Sequence, residues 1–575
     1  MKLSVEQSLA GILEPVFAIR TETDLGVGDT DGVRQMVDWC AQHGLHIFQT
    51  LPINETGDDH SPYNAISSLA IEPATLTVTP QAIPDLSATQ FAALAPEARV
   101  ARLRQGAVQY PAVKALKHEL LGAAFAAFQT EQLARDTARA RAFAAFSRDH
   151  AAWVADYALF RTLRELPGNP RHWEAWPREL RDPRSARAWL AALPNARRQA
   201  LEQRQLYFTY VQWLAFSQWE QLRDYALQKR VGLMGDIPYG VGRNSADVWA
   251  NGRLFDLDWN GGAPPETTFK TDPFIVKWGQ NWGVPLYRWD VLRQQDFSWW
   301  RQRVSNVRRI FQLFRIDHVL GLFRIYAFPW TPDRNAEFLP LTATEAAART
   351  GGRLPGFKAY PDDTAEHRAR NQAQGEELLK MIQAAAGETV VIAEDLGLVP
   401  DYVAPTLQRL GIPGFRIPML FRDPDWTYSD PKQYPRLSLA QPATHDHTPL
   451  AALWRQCWAN VDAGHEREHN QWELRRIMRF GGLAHEEPPR EFADRIHEGF
   501  LRAVMESNSW LAIFQIQDVF GQTARFNVPG STSAANWSAR MEATVKQFAT
   551  DARLRGKGEM FSRLAQRAGR SGGVE

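Results

Sequence analysis

The chain has 575 residues, 44% of them hydrophobic and 23% charged, with 66 Lys+Arg against 65 Asp+Glu for a formal net charge of +1. That balance argues against nucleic acid as the main partner, since phosphate recognition needs concentrated basic charge, and it suits an uncharged substrate. No apolar run approaches the roughly 20 residues that span a bilayer, and the opening MKLSVEQSLAG lacks a secretory apolar core, so the expectation is a cytoplasmic protein with no membrane partner.

Eight runs of strand length follow one another: 11–19, 46–53, 231–238, 311–317, 389–396, 414–420, 437–446 and 511–519. Segments of helical period separate most of them, for example Trp300, Val304, Val307 and Phe311 on one face before the fourth run. Eight strands alternating with helices predict an α/β fold, a (β/α)8 TIM barrel. The gap between the second and third strands is too long for one strand–helix unit. Residues 85–205, rich in Ala, Leu, Arg and Gln, are expected to form a largely helical insertion within one catalytic domain over 1–568. Further loop insertions are expected elsewhere, and the Gly-rich end 569–575 is expected to be a disordered tail. Cys40 and Cys457 are expected to be buried free thiols. Most of the 21 tryptophans are expected in the core, leaving some to stack on apolar faces of a ligand.

Three acidic segments stand at the ends of predicted strands: FRIDH around Asp317, IAEDLG around Glu394 and ATHDH around Asp446. In a parallel barrel such positions converge on one pocket, the layout that breaking a glycosidic bond requires. Alternation along a strand turns Arg315 and Asp317 the same way, and a guanidinium there favours an ionised carboxylate, as a nucleophile needs. Taken alone, an ordinary ion pair is the commoner reading. Glu394 closes an apolar strand, where desolvation raises a carboxyl pKa and suits a general acid. A capping or paired Glu is the plainer alternative. His445 and His447 flank Asp446, but with no third ligand pattern such as HExxH a metal site is poorly supported. The GVG at 240–242 lacks the third glycine of a nucleotide fingerprint, and no G-x-S-x-G elbow supports a serine hydrolase. The segments 58–70, 235–251, 279–289 and 525–537 mix Gly, Pro, aromatic and amide residues and are read as loops at strand ends.

Together, FRIDH, AEDLG, THD, GDIP, SPY, the APP…WG stretch and QDV…NxPG…NW resemble the 4-α-glucanotransferases of the amylomaltase (disproportionating enzyme) family, glycoside hydrolase family 77. The resemblance runs from about residue 10 to about residue 541, apart from the 85–205 insertion. VFAIRTETDLGVGD, GVGRNSADVW and RIDHVLGLFRIY resemble most the branch of the plant cytosolic disproportionating enzyme, and with the barrel starting by residue 11 that enzyme's starch-binding modules are expected to be absent. The resemblance implies a retaining transfer from maltooligosaccharides, with glycogen or another α-glucan polymer as a further partner, and no metal or organic cofactor. It implies Asp317 as nucleophile, Glu394 as general acid/base and Asp446 as the group that orients sugar hydroxyls and stabilises the transition state. Arg315, His445 and Asp236 would complete the subsite of the attacked glucose, and Ser61, Tyr63, Gln280 and Trp282 would line neighbouring ones. His447, Asn64 and a lengthened loop over 266–277 depart from the family pattern. An α-1,4-glucan hydrolase, which would raise total reducing ends, and a non-catalytic glycan-binding protein on the same barrel stand as alternatives.

Overall fold

The computed structural model describes residues 3–266, 272–529 and 533–572. Among them twelve strands form, and eight close into a barrel: β1 (Leu9–Leu13), β2 (Ile47–Gln49), β3 (Gly232–Ile237), β6 (Leu313–Ile316), β9 (Val390–Ala393), β10 (Gly414–Arg416), β11 (Ser438–Ala440) and β12 (Leu511–Gln515). Each pairs in parallel with its neighbours, in the order β1-β12-β11-β10-β9-β6-β3-β2. Every strand read from the sequence is one of these eight, so the (β/α)8 expectation holds. The strands are shorter than the apolar runs. Pro15, Pro418 and Pro442 follow β1, β10 and β11 closely, and a residue without an N–H cannot extend a ladder.

The stretch 85–205 is mostly helical, and residue 205 falls inside a helix. Asn195–Gln228 is one continuous 34-residue helix. Its second half carries Phe216, Trp219 and Leu222 into the core beside the barrel and leads directly to β3. The loops after β3 and β6 build a small antiparallel sheet that the sequence did not announce. Its strands β4 (Phe255–Ala263), β5 (Gln280–Tyr287), β7 (Ile325–Phe328) and β8 (Gly356–Lys358) run in the order β5-β4-β7-β8. This sheet rises from the C-terminal ends of the barrel strands, where the pocket lies.

The expected disordered tail is corrected over 569–572. Arg570 is 1% exposed, and its guanidinium donates to the carbonyls of Met505, Leu9, Trp510, Ser507 and Ser509 at 2.6–3.1 Å. One side chain thus ties the chain end to β1 and to the approach to β12. Residues 573–575 lie outside the described residues. Cys40 and Cys457 are buried free thiols. Among the described residues no helix is long and apolar enough to cross a membrane.

Candidate active site

Register explains why the acidic residues meet. Asp236 of β3 pairs with Arg315 of β6, which pairs with Ile392 of β9. Paired residues share a face, so these three form one row across adjacent strands. Asp317 and Glu394 each stand two residues further on and therefore one row higher, at the rim.

Arg315 organises the floor of the pocket. Its Nη1 lies 2.6 Å from Asp236 Oδ2, and its Nη2 lies 2.7 Å from Asp317 Oδ1 and 3.8 Å from Glu394 Oε2. Burial works against its charge, but Asp236 and Asp317 outweigh that and hold the guanidinium charged. Asp317 and Glu394 both reach one nitrogen, so their oxygens are no farther apart than those two distances allow together. Burial pushes the Glu394 carboxyl up to about 8, with the Asp317 charge adding to the effect and Arg315 opposing it. A single backbone donor, the His318 N–H at 2.6 Å, meets Glu394 Oε2. His318 itself sits in the left-handed region at φ 44°, so the chain turns sharply just past that N–H. Asp395 points away, as alternation requires, and accepts from the Phe415 N–H at 2.6 Å.

Asp446 arrives differently from the expectation of a residue at a strand end. Strand β11 stops at Ala440, and irregular chain covers the distance to the carboxyl. Asn527 supplies the fixing contact: its Nδ2 donates to Asp446 Oδ1 at 2.6 Å, while His445 Nε2 lies 3.3 Å from Oδ2. Burial acts to raise the Asp446 pKa, but His445 and the Asn527 hydrogen bond prevail and keep it below the usual carboxylate range. Burial also lowers His445 to about 4, so its imidazole is neutral near pH 7. His447 turns back instead: its Nδ1 meets Thr444 Oγ1 at 2.8 Å and closes the local turn.

The aromatic wall is built from three separate loops. Tyr63 stacks on the His445 ring at 5.2 Å and 10°, and its O–H donates to Asp236 Oδ2 at 2.7 Å. Trp537 packs against both Tyr63 and His445. Ser61 supports Tyr63 through the Tyr63 N–H, 3.3 Å from its Oγ. Asn64 donates to Asp59 within the same loop. Gly242 accounts for the GVG: a Cβ there would stand 2.7 Å from the Ala65 carbonyl, so only glycine lets the two loops approach so closely. Across the pocket, β5 presents Trp282, whose ring meets His318 edge-on at 4.8 Å. The Trp282 indole N–H donates to Gln280 Oε1 at 3.2 Å, and Gln280 donates in turn to Glu266 at 2.6 Å. Of the lengthened loop over 266–277, residues 267–271 lie outside the described residues, and most of the remainder belongs to the short helix Pro273–Trp278.

The structure thus brings Asp236, Arg315, Asp317, Glu394, His445, Asp446 and Tyr63 into direct contact. Ser61 stands behind Tyr63, and Gln280 and Trp282 form the far wall. Sequence reasoning missed Asn527, Trp537 and His318 as individual residues. The 525–537 segment and the FRIDH motif had marked their neighbourhoods.

A parallel barrel with its polar pocket at the C-terminal strand ends is the architecture of (β/α)8-barrel enzymes. The profile of glycoside hydrolase family 77, described as 4-alpha-glucanotransferase, matches residues 14–546. A 4-alpha-glucanotransferase of Chlamydia caviae is 29% identical over 96% of this chain and 94% of its own length. The 4-alpha-glucanotransferase DPE2 of Oryza sativa subsp. japonica is 25% identical, over 94% of this chain and 68% of the plant protein. The solved amylomaltase of Streptococcus agalactiae, in complex with acarbose, superposes with a TM-score of 0.72 over 97% of this chain and 99% of its own, at 22% identity, and so shares the fold. The chain belongs to the 4-α-glucanotransferase family, glycoside hydrolase family 77.

Proposed function

We propose that Asp317, Glu394 and Asp446 carry the 4-α-glucanotransferase reaction of this chain. Asp317 attacks the anomeric carbon of an α-1,4-linked donor while Glu394 gives its proton to the departing oxygen. A covalent glycosyl-enzyme forms, and the leaving sugar departs with a free 4-hydroxyl. Glu394, now a carboxylate, then takes the proton from the 4-hydroxyl of an acceptor as that oxygen displaces Asp317, and the α bond re-forms. Asp446, fixed by Asn527, bonds sugar hydroxyls and stabilises the positive charge that develops at the anomeric centre. Arg315, Asp236 and His445 close the subsite of the attacked glucose. Ser61, Tyr63, Gln280 and Trp282 shape the neighbouring ones. The donors are maltooligosaccharides, and the acceptors include glycogen or a similar α-glucan.

The observation that carries this reading is the single guanidinium shared by two unlike carboxyls. Asp317 is in close ion-pair contact with Arg315, whereas Glu394 stands farther off and burial keeps it protonated at neutral pH. Their proximity suits the roughly 5–5.5 Å separation of a retaining pair rather than the wider gap of an inverting one. The test is incubation with maltotriose and resolution of all products by chain length. A ladder of longer chains with glucose released and reducing ends conserved is expected. A steady rise in reducing ends would make the protein a hydrolase, and a folded protein that gives no product would defeat the reading.

A further inference from the structure

An exposed aromatic surface lies at the catalytic end of the barrel, outside the pocket. The loop 417–430 that follows β10 carries Trp426, 61% exposed, and the helix Arg467–Phe480 beyond β11 carries Trp472, 55% exposed. Among the described residues Trp282 is the only other exposed tryptophan, and it already lines the pocket. Neither Trp426 nor Trp472 is part of the core, so packing gives no reason for an indole at either place.

The segments that hold the two rings are locked together. The Tyr428 O–H donates to Glu473, the residue after Trp472. Arg422 places its guanidinium 5.9 Å from the Trp426 ring and lies 3.9 Å from Glu473. Arg479 lies 3.8 Å from Asp425, the residue before Trp426. Trp472 and Arg479 are seven residues apart, two helical turns, so they share one helix face about 10 Å in length. The Asp425 contact anchors the Trp426 loop at the far end of that face. The nearby charges answer one another, Arg422, Arg476 and Arg479 against Glu473, Asp425 and Asp423 of the same loop, which leaves a surface suited to an uncharged ligand. Two exposed leucines stand on the loops that follow β9 and β10. Leu398, 64% exposed, follows Glu394 by four residues, and Leu420, 48% exposed, opens the Trp426 loop.

A ligand for such a place is neutral, extended and able to offer flat C–H faces to separated aromatic rings, and an α-1,4-glucan chain is all three. We propose that Trp426 and Trp472 form a docking surface for the outer chains of an α-glucan polymer, held beside the Glu394 rim of the pocket. This rests on the transfer reading above and adds the polymer as a specifically recognised substrate. Retention on the surface raises the local concentration of chain ends at the pocket without any part in bond exchange.

The test uses the full chain, glycogen as probe, and the variants Trp426→Ala, Trp472→Ala and the double variant, each checked for an unchanged melting temperature. Mobility in native gels containing glycogen reads binding, and transfer from maltotriose in the presence and absence of glycogen reads activity. The double variant is expected to bind glycogen and use it as acceptor about five- to tenfold less well, the scale of losing two aromatic stacking contacts, while maltotriose alone is disproportionated at the parent rate. Unchanged retardation in the double variant overturns the proposal. So does a parent protein that transfers among maltotriose molecules but is not retarded, or a loss on maltotriose as large as that on glycogen. A parent with no maltotriose transfer would instead defeat the catalytic reading, and the retardation assay would still decide the surface.

Discussion

Asn527 offers a sharp test of how Asp446 is held. Its amide donates to Asp446 Oδ1 at 2.6 Å, a hydrogen bond to a charged acceptor. Such bonds contribute about 1.5–3 kcal/mol when shielded. The Asp446 side chain is 36% exposed, so water recovers part of that when the amide is removed. A loss of about 1–2 kcal/mol is the reasonable figure for Asn527→Ala, or about 5- to 30-fold in kcat/KM for maltotriose. Asn527→Asp should be worse at pH 7, because a second carboxylate beside Asp446 repels it and raises its pKa. That variant should lose less ground to the parent as pH falls and one of the two carboxyls takes a proton. The assay is initial-rate transfer from maltotriose between pH 5 and 8, with melting temperature as the folding control. An alanine variant within twofold of the parent, or an aspartate variant equal to it at pH 7, would refute the idea that Asn527 positions Asp446.

Three further outcomes follow from the same geometry. Glu394, pushed up to about 8 by burial, must carry a proton to act as acid, so kcat/KM should fall as pH rises through about 8; a flat profile to pH 10 would remove Glu394 from that role. Glu14 is wholly buried, both its carboxyl oxygens are without a hydrogen-bond partner, and burial raises it to about 8. Between about 4.5 and 8 the folded state keeps this proton while the unfolded chain releases it, so stability falls with rising pH, by at most about 1.4 kcal/mol per unit, and the loss is complete above about 8. Glu14→Gln should flatten that slope in chemical denaturation measured from pH 5 to 8, and an unaltered slope would count against a buried proton there. Tyr63→Phe keeps the ring on His445 but loses the hydrogen bond to Asp236, so about a fivefold drop in kcat/KM is expected, with Tyr63→Ala costing clearly more. Equal effects would mean that the stacked ring contributes nothing.

The sequence carried the barrel well because each strand is an apolar run with its own stop signal, and it carried Asp317 and Glu394 because both sit two residues beyond a paired row. It carried Asp446 only through its motif, since nothing local shows that the chain from Ala440 onward travels irregularly to the pocket. Asn527 reaches Asp446, and Trp537 reaches Tyr63, through long-range packing, and no period or spacing encodes a contact between residues 81 apart, as Asn527 and Asp446 are. The side sheet was hidden by composition: FDLDWNGGA is poor in β-branched residues and rich in Asp, Asn and Gly, the residues least favoured in strands. Arg570 was hidden by the opposite effect. Its Gly- and Ser-rich surroundings read as disorder, yet one guanidinium finds five carbonyls at the foot of the barrel and orders the chain around it.

The most direct measurement of the central claim is the mass of a trapped intermediate. A Glu394→Gln protein given α-maltotriosyl fluoride, whose leaving group needs no acid, should release fluoride and stall as a glycosyl-enzyme. Proteolysis and mass spectrometry should then place the added sugar on the peptide that contains Asp317, at that side chain. Fluoride release with the sugar on another residue, or with no adduct at all and inverted product, would contradict the account.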